Sequence, residues 1–326
     1  MTSGLAIKLI HHMTRGWFAK CAHAAQSVAF ITAVIFPKLP ISILCAMLAM
    51  VAFVRAEELI SIRGAQVAAE PVNAAAARIK KDTGLEFHVV TEGGSGGAVA
   101  GIGEDIVDIA LLSRKITPRE HAAWPERNFN EARFGMQALL IVVPDPVWKS
   151  GVHALTRNQL RDIYEGRVKN WKALGGEDRK IVFYNRDVRS SAWELLMFFL
   201  YEDTRKAPPS EAEVLMEPSD VTTAVEYNGG SIAALEYGVS RTGTIHALGI
   251  RQADGSVVEP TAENIAAGRY DIARPLIIAT ARKPAGKVRR FVEFMLSDAG
   301  QSFVKKTGHI PNAELSEKKN PGPAPQ

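Results

Sequence analysis

Phe87-His88-Val89-Val90-Thr91-Glu92-Gly93-Gly94-Ser95-Gly96-Gly97-Ala98 and Ile181-Val182-Phe183-Tyr184-Asn185-Arg186-Asp187-Val188-Arg189-Ser190-Ser191 share one grammar. Each is an apolar strand, then a short polar turn, then the start of a helix, from Ala98 and from Trp193. Such a corner aims several backbone N–H groups at one point, where the helix dipole also favours negative charge. Serine hydroxyls add donors, and an arginine adds a planar fork that fits carboxylate, sulfate or phosphate oxygens. Two such corners facing each other make an oxyanion clamp, a binding site before it is a catalytic one.

Outward from these corners, strand and helix alternate. Leu59 to Arg63 reads as a first strand, Pro71 to Lys81 as a helix that Gly84 stops, and Leu85 to Thr91 as a second strand. A helix over Ala98 to Glu104 precedes the strand Val107 to Leu112, which ends at Ser113-Arg114. Thr117-Pro118-Arg119-Glu120 and Thr156-Arg157-Asn158-Gln159-Leu160 open further helices. Phe134 to Val143 and Asp271 to Thr280 are long apolar strands, and Lys287 to Lys306 is one amphipathic helix. Its Phe291, Phe294, Met295, Phe303 and Val304 line the core-facing stripe. The alternation predicts a mainly parallel α/β sheet. The tail, with Asn320-Pro321-Gly322-Pro323, is expected to be disordered over 313–326.

Residues 1–56 stand apart. They hold five of the chain's 39 basic residues and none of its 35 acidic ones, so the rest carries 34 against 35 and is near neutral. The apolar run Ile41–Val54 is short for a bilayer span and ends in Val54-Arg55-Ala56 before Glu57-Glu58. That is the pattern of a secretory signal cleaved after Ala56, with an uncleaved anchor as the alternative, since Val28 to Phe36 is also apolar. Near neutrality without the leader argues against nucleic-acid binding. Both cysteines, Cys21 and Cys45, lie in the leader, which suits an oxidising compartment. His88, His121, His153, His246 and His309 show no metal-ligand spacing, and no cofactor is expected.

Several segments together resemble the phosphate-type periplasmic solute-binding proteins of ABC importers. They are Gly94-Ser95-Gly96-Gly97, Val107-Asp108-Ile109-Ala110 running to Ser113-Arg114, Leu155 to Leu160, Tyr164 to Trp171, Arg186 to Ser191, and Phe294-Met295-Leu296-Ser297 with Gly300-Gln301. The resemblance implies a type II periplasmic-binding-protein fold, two Rossmann-like α/β lobes joined by two crossing strands with the ligand between them. Phe134–Val143 and Ile272–Thr280 would be the crossings. Lobe 1 would comprise 57–143 with 272–312, and lobe 2 would be 144–271. It also implies a periplasmic, non-enzymatic receptor that captures phosphate and delivers it to an ABC permease. Pocket roles would fall on Gly94, Ser95, Gly96, Ser113, Arg186, Ser190 and Ser191.

The chain departs from that family in identifiable places. Gly64-Ala65-Gln66 replaces a Ser or Thr ligand, leaving Gln66 to donate through its amide. Ala192 replaces a Thr, Ala233-Ala234 a glycine-tyrosine pair, and Arg114 an Asp. Phosphate carries a proton that sulfate lacks, so a receptor without a facing acceptor discriminates less between them; Glu92 is the candidate acceptor. The other readings are a receptor for sulfate or tungstate, an accessory protein with a degraded pocket, or a serine hydrolase using Ser95, since Gly93–Gly97 also fits G-x-S-x-G.

Overall fold

The computed structural model describes residues 59–208, 212–239 and 241–316; the predicted leader, its cleavage point and residues 317–326 lie outside them. The chain begins with β1 (Leu59–Gly64), whose Ile60 and Ile62 are buried. Then come α1 (Gln66–Ala74), α2 (Ala76–Thr83), β2 (Glu86–Val90), α3 (Gly94–Gly103), β3 (Ile109–Leu112), α4 (Pro118–Ala123) and β4 (Asn130–Pro144). The first helix starts at Gln66, a turn ahead of Pro71, because Val67, Ala68, Ala69 and Val72 are buried there. It breaks at Ala75. Helix α3 likewise takes in the glycines from Gly94 onward, although glycine disfavours helix by about 1 kcal/mol. Close approach explains this: a Cβ on Gly101 would lie 2.9 Å from Val107, and one on Gly103 2.5 Å from Trp124.

The chain continues through α5 (Asp145–Lys149), β5 (Ala154–Leu155), α6 (Arg157–Tyr164), β6 (Val182–Arg186), α7 (Ser191–Tyr201) and β7 (Glu213–Leu215). Next are α8 (Pro218–Tyr227), β8 (Ser231–Glu236), β9 (Ile245–Arg251), β10 (Val257–Val258) and α9 (Ala262–Ala266). It ends with β11 (Ala273–Thr280), α10 (Gly286–Leu296), α11 (Asp298–Lys306), β12 (Ile310–Pro311) and α12 (Asn312–Ser316). The helix starts predicted at Thr117 and Thr156 both form capping boxes, with Glu120 and Gln159. Two further expectations about helices need correction. The tail does not become irregular at 313, since α12 occupies 312–316. The helix expected over 287–306 is two helices, because Ser297 turns to an extended conformation and its side chain caps Gly300 N–H.

The sheet runs β2-β1-β3-β11-β4-β8-β6-β7. Its ends are parallel, β2-β1-β3 on one side and β8-β6-β7 on the other. Its middle is antiparallel: β11 runs against both β3 and β4, and β4 against β8. The sheet is therefore mixed rather than mainly parallel, because the long strands that link its two halves run back against their neighbours. β4 pairs with β11 through Ala138, then with β8 from Leu139 to Val142. At that handover Leu139 N–H donates to the Ile272 carbonyl (3.0 Å) and the buried Tyr270 hydroxyl donates to the Leu139 carbonyl (2.9 Å).

The described residues form four hydrophobic clusters, of which two are the main cores. One gathers Ile60, Ile62, Val67, Leu111, Phe134, Phe291 and Met295. The other gathers Leu139, Ile141, Trp171, Met197, Ile232 and Tyr270. Phe291, Phe294, Met295 and Val304 of the predicted stripe are buried, and Phe303 packs half-exposed against the first core. Among the described residues no helix is long and apolar enough to cross a membrane.

Candidate functional site

In an open α/β sheet, ligands bind beyond the carboxyl ends of parallel strands, where loops lead into helix N-termini. Both parallel ends of this sheet are built that way. Strands β1, β2 and β3 deliver Gly64-Ala65-Gln66, Thr91 to Gly97, and Ser113-Arg114 to one edge. Gly93, at φ 86°, turns the chain into α3. Gly94 N–H donates to the Thr91 carbonyl and Gly97 N–H to the Gly93 carbonyl, while those of Ser95 and Gly96 between them have no partner among the described residues. Ser95 Oγ accepts from Ser113 N–H at 3.1 Å and lies 3.2 Å from Ser113 Oγ. The sequence thus pairs two predicted site residues that follow different strands, and Gln66 sits exposed on the first turn of α1, after β1.

Arg114 does not stand free at this edge. It holds Glu120 in a two-pronged pair, both contacts 2.8 Å, which lowers the Glu120 carboxyl to about 2. Its guanidinium lies over Gly96, where a Cβ would be 3.8 Å away. Glu92 is exposed.

The second edge is the carboxyl end of β6. Arg186 is 7% exposed; its Nη1 lies 3.3 Å from Glu236 Oε2, at the end of the parallel neighbour β8, and its Nη2 donates to the Met216 carbonyl at 3.1 Å. Its Nε is buried with no partner among the described residues, an arrangement that costs free energy unless something supplies an acceptor. Burial raises the Glu236 carboxyl and Arg186 pulls it down. Ser190 caps α7: its hydroxyl accepts from Trp193 N–H and donates to the Asp187 carbonyl, so it is already committed. Arg189 is exposed and paired with Asp187.

Ser191, the first residue of α7, joins the two halves. Its hydroxyl accepts from Gln137 Nε2 (3.0 Å) and reaches Glu70 Oε2 on α1 (3.5 Å). Gln137 on β4 stands in register with Arg274 on β11, whose Nε donates to Gln137 Oε1 at 2.8 Å. Arg274 Nη2 also donates to the Ser191 carbonyl (3.3 Å) and to Glu194 (3.0 Å). No hydrogen bond connects Ser95 or Ser113 to Arg186, Ser190 or Ser191 among the described residues; the link between the two edges runs through Ser191 and Glu70.

Sequence reading misses Glu70, Gln137, Glu236, Arg274 and His309 here. Signals existed for two of them. Gln137 is the one polar residue in the apolar run Phe134 to Val143, and Arg274 is the one charge in Ile272 to Thr280. A lone polar residue in a buried strand implies a partner. Their separation of 137 positions hides which one.

Comparison with known proteins places this arrangement. Residues 52–299 match the model of the PBP superfamily domain. The chain belongs to the PBP superfamily. Among curated relatives, a phosphate-binding protein PstS of Borreliella burgdorferi is 28% identical over 223 residues, covering 67% of this chain and 77% of that protein. The Bacillus subtilis phosphate-binding protein PstS is 28% identical over 258 residues, covering 78% and 81%. Among solved structures, PstS from Borrelia burgdorferi superposes with a TM-score of 0.61 at 25% identity, over 78% of this chain and 99% of that one. An ABC-type phosphate transport receptor from Vibrio cholerae superposes with a TM-score of 0.58 at 25% identity, over 77% and 99%. The α/β architecture is thus that of the PBP superfamily, shared with these solved receptors.

Proposed function

We propose that the protein is an exported receptor that captures a tetrahedral oxyanion, phosphate foremost, between its two lobes and delivers it to an ABC permease. The observation that carries this is the buried Arg186, whose Nε has no acceptor among the described residues, beside a helix N-terminus whose counterpart across the sheet offers the N–H groups of Ser95 and Gly96, unpartnered among the described residues. A buried anion is stable only when its oxygens meet donors, each charge-assisted hydrogen bond giving back about 1.5–3 kcal/mol. The relatives named for phosphate binding support the same ligand. In this reading 57–143 with 272–312 form one lobe and 144–271 the other. Gly94, Ser95, Gly96, Ser113 and Gln66 contact the anion from the first, and Arg186, Ser190 and Ser191 from the second, Ser190 through its place at the end of α7. The leader directs export to the periplasm.

Binding rather than hydrolysis is favoured because Ser95 has no base bonded to it among the described residues. Its hydroxyl meets Ser113, while His246 meets Asp145 and His309 meets Thr307. Calorimetry of the protein against phosphate, sulfate, arsenate and tungstate tests the proposal. Phosphate should bind, and Ser95→Ala should weaken it about tenfold, the value of one hydrogen bond to a charged group. Silence toward the whole panel, or ester turnover lost in Ser95→Ala, would overturn it.

A further inference from the structure

Glu70 lies four residues after Gln66 on α1, on the same helix face. Its carboxyl reaches across to Ser191 at the N-terminus of α7. It thereby occupies, from the opposite lobe, the position from which an anion oxygen would use that hydroxyl. The charges around it leave it without a cation of its own. On α7, Glu194 is paired with Arg274 of β11; on β8, Glu236 is paired with Arg186 of β6. Three carboxyls thus share two guanidiniums. The remaining neighbour is His309, ahead of β12, with Nε2 at 3.6 Å from Glu70 Oε2.

His309 does not supply the missing charge. The Thr307 hydroxyl donates its only hydrogen to the carbonyls of Phe303 and Val304, so its 2.9 Å contact with His309 Nδ1 requires the proton on Nδ1. That assignment follows from the hydrogen-bond network, and it turns a bare Nε2 lone pair toward Glu70. Burial, with Arg274 nearby, holds the imidazole down to about 4, so it is neutral at pH 7. A lone pair opposite a carboxylate repels it; opposite a carboxylic acid it is an acceptor. Burial likewise lifts the Glu70 carboxyl to about 7, against the opposing pull of Ser191 and Arg274 and with the help of Glu236 and Glu194.

We propose that Glu70 is a specificity-determining acid of the anion site: it must carry a proton for a tetrahedral oxyanion to seat on Ser191, so that capture is proton-linked. Ionised, Glu70 competes with the ligand for the Ser191 hydroxyl and repels it. Protonated, it releases that hydroxyl to the ligand and turns its own single O–H toward His309 Nε2, so that no carboxylate charge faces the anion. A neutral acid at this point tolerates a fully ionised oxyanion, so the site does not turn sulfate away as a facing carboxylate would. This inference rests on the oxyanion-receptor reading above.

The test is calorimetry on the full chain with sulfate, which does not titrate in the range used, and with phosphate, from pH 5.5 to 8.5. In wild type, sulfate affinity should be level below pH 6.5 and fall by about thirtyfold at pH 8.5, as linkage to a group titrating near 7 requires. In Glu70→Gln it should stay level, and the wild-type to variant ratio should be the same for phosphate, whose own titration cancels. Wild-type binding at pH 8.5, measured in two buffers of different ionisation enthalpy, should take up close to one proton, a reading that needs no variant. Binding with parallel pH profiles in both proteins, or with no proton uptake, overturns the role of Glu70 alone. Absence of binding at every pH overturns the receptor reading and this one with it.

Discussion

Arg186→Ala is expected to abolish most oxyanion affinity and to destabilise the fold at the same time. Loss of a buried, hydrogen-bonded charge contact weakens binding by about 2–4 kcal/mol. Breaking its pair with Glu236, whose side chain is 15% exposed, leaves a buried carboxyl unmatched, at a cost of about 3–5 kcal/mol. The two effects separate in Arg186→Met/Glu236→Leu, which removes both charges. Thermal unfolding should recover much of the lost stability there, since apolar replacement of a buried pair is often neutral, while calorimetry should still find no tight binding. Full affinity in the single variant would reduce Arg186 to a structural residue.

Gly64→Ala should be strongly damaging for so small a change. A Cβ on Gly64 would stand 2.4 Å from Leu111 Cβ and 2.5 Å from the Leu111 carbonyl oxygen, against backbone that cannot swing aside. β1 and β3 pair at this point, Gly64 beside Leu111, and Ala65 N–H donates to the Leu111 carbonyl at 2.8 Å. Overpacking of this kind costs about 3 kcal/mol at the upper end of its usual range. It also moves Gln66 relative to Ser113, so oxyanion affinity should fall with stability. Gly243→Ala, where a Cβ meets nothing within 4 Å, is the matched control and should change neither. Equal melting temperatures for the two variants would show that β1 and β3 can separate without penalty.

Much of this molecule was legible in its sequence because the informative signals are local. A glycine run after an apolar strand can do little but turn the chain into a helix, and Ser190 after Arg186 announces its own cap. Ser113 was readable for the same reason, as a polar residue closing an apolar strand. The helix breaks at Ala75 and Ser297 were less so, since alanine carries no stop signal and the cap at Ser297 sits inside an unbroken apolar stripe. Long-range pairing was hidden. Nothing near Arg186 in the chain points to Glu236, 50 positions on. Nothing near Glu70 points to Ser191, and the residue fell just ahead of the helix expected from Pro71. Arg114 shows the converse: it stands where the family keeps an Asp, and its partner is Glu120, close by in sequence.

The place of β11 in the sheet bears on how the molecule comes into being. The strand lies between β3 and β4, yet more than a hundred residues separate it from either in the chain. The sheet is therefore closed from its middle, by one of the last strands to leave the ribosome, and not extended at its rim. Until residues 273–280 arrive, β3 and β4 each present an open edge, and closing so large a loop is slow. A nascent chain built in this order stays loosely organised for most of its synthesis, the condition a polypeptide needs if it is to be threaded through a membrane before it folds. The same open edges are what a holdase would cover in the interval.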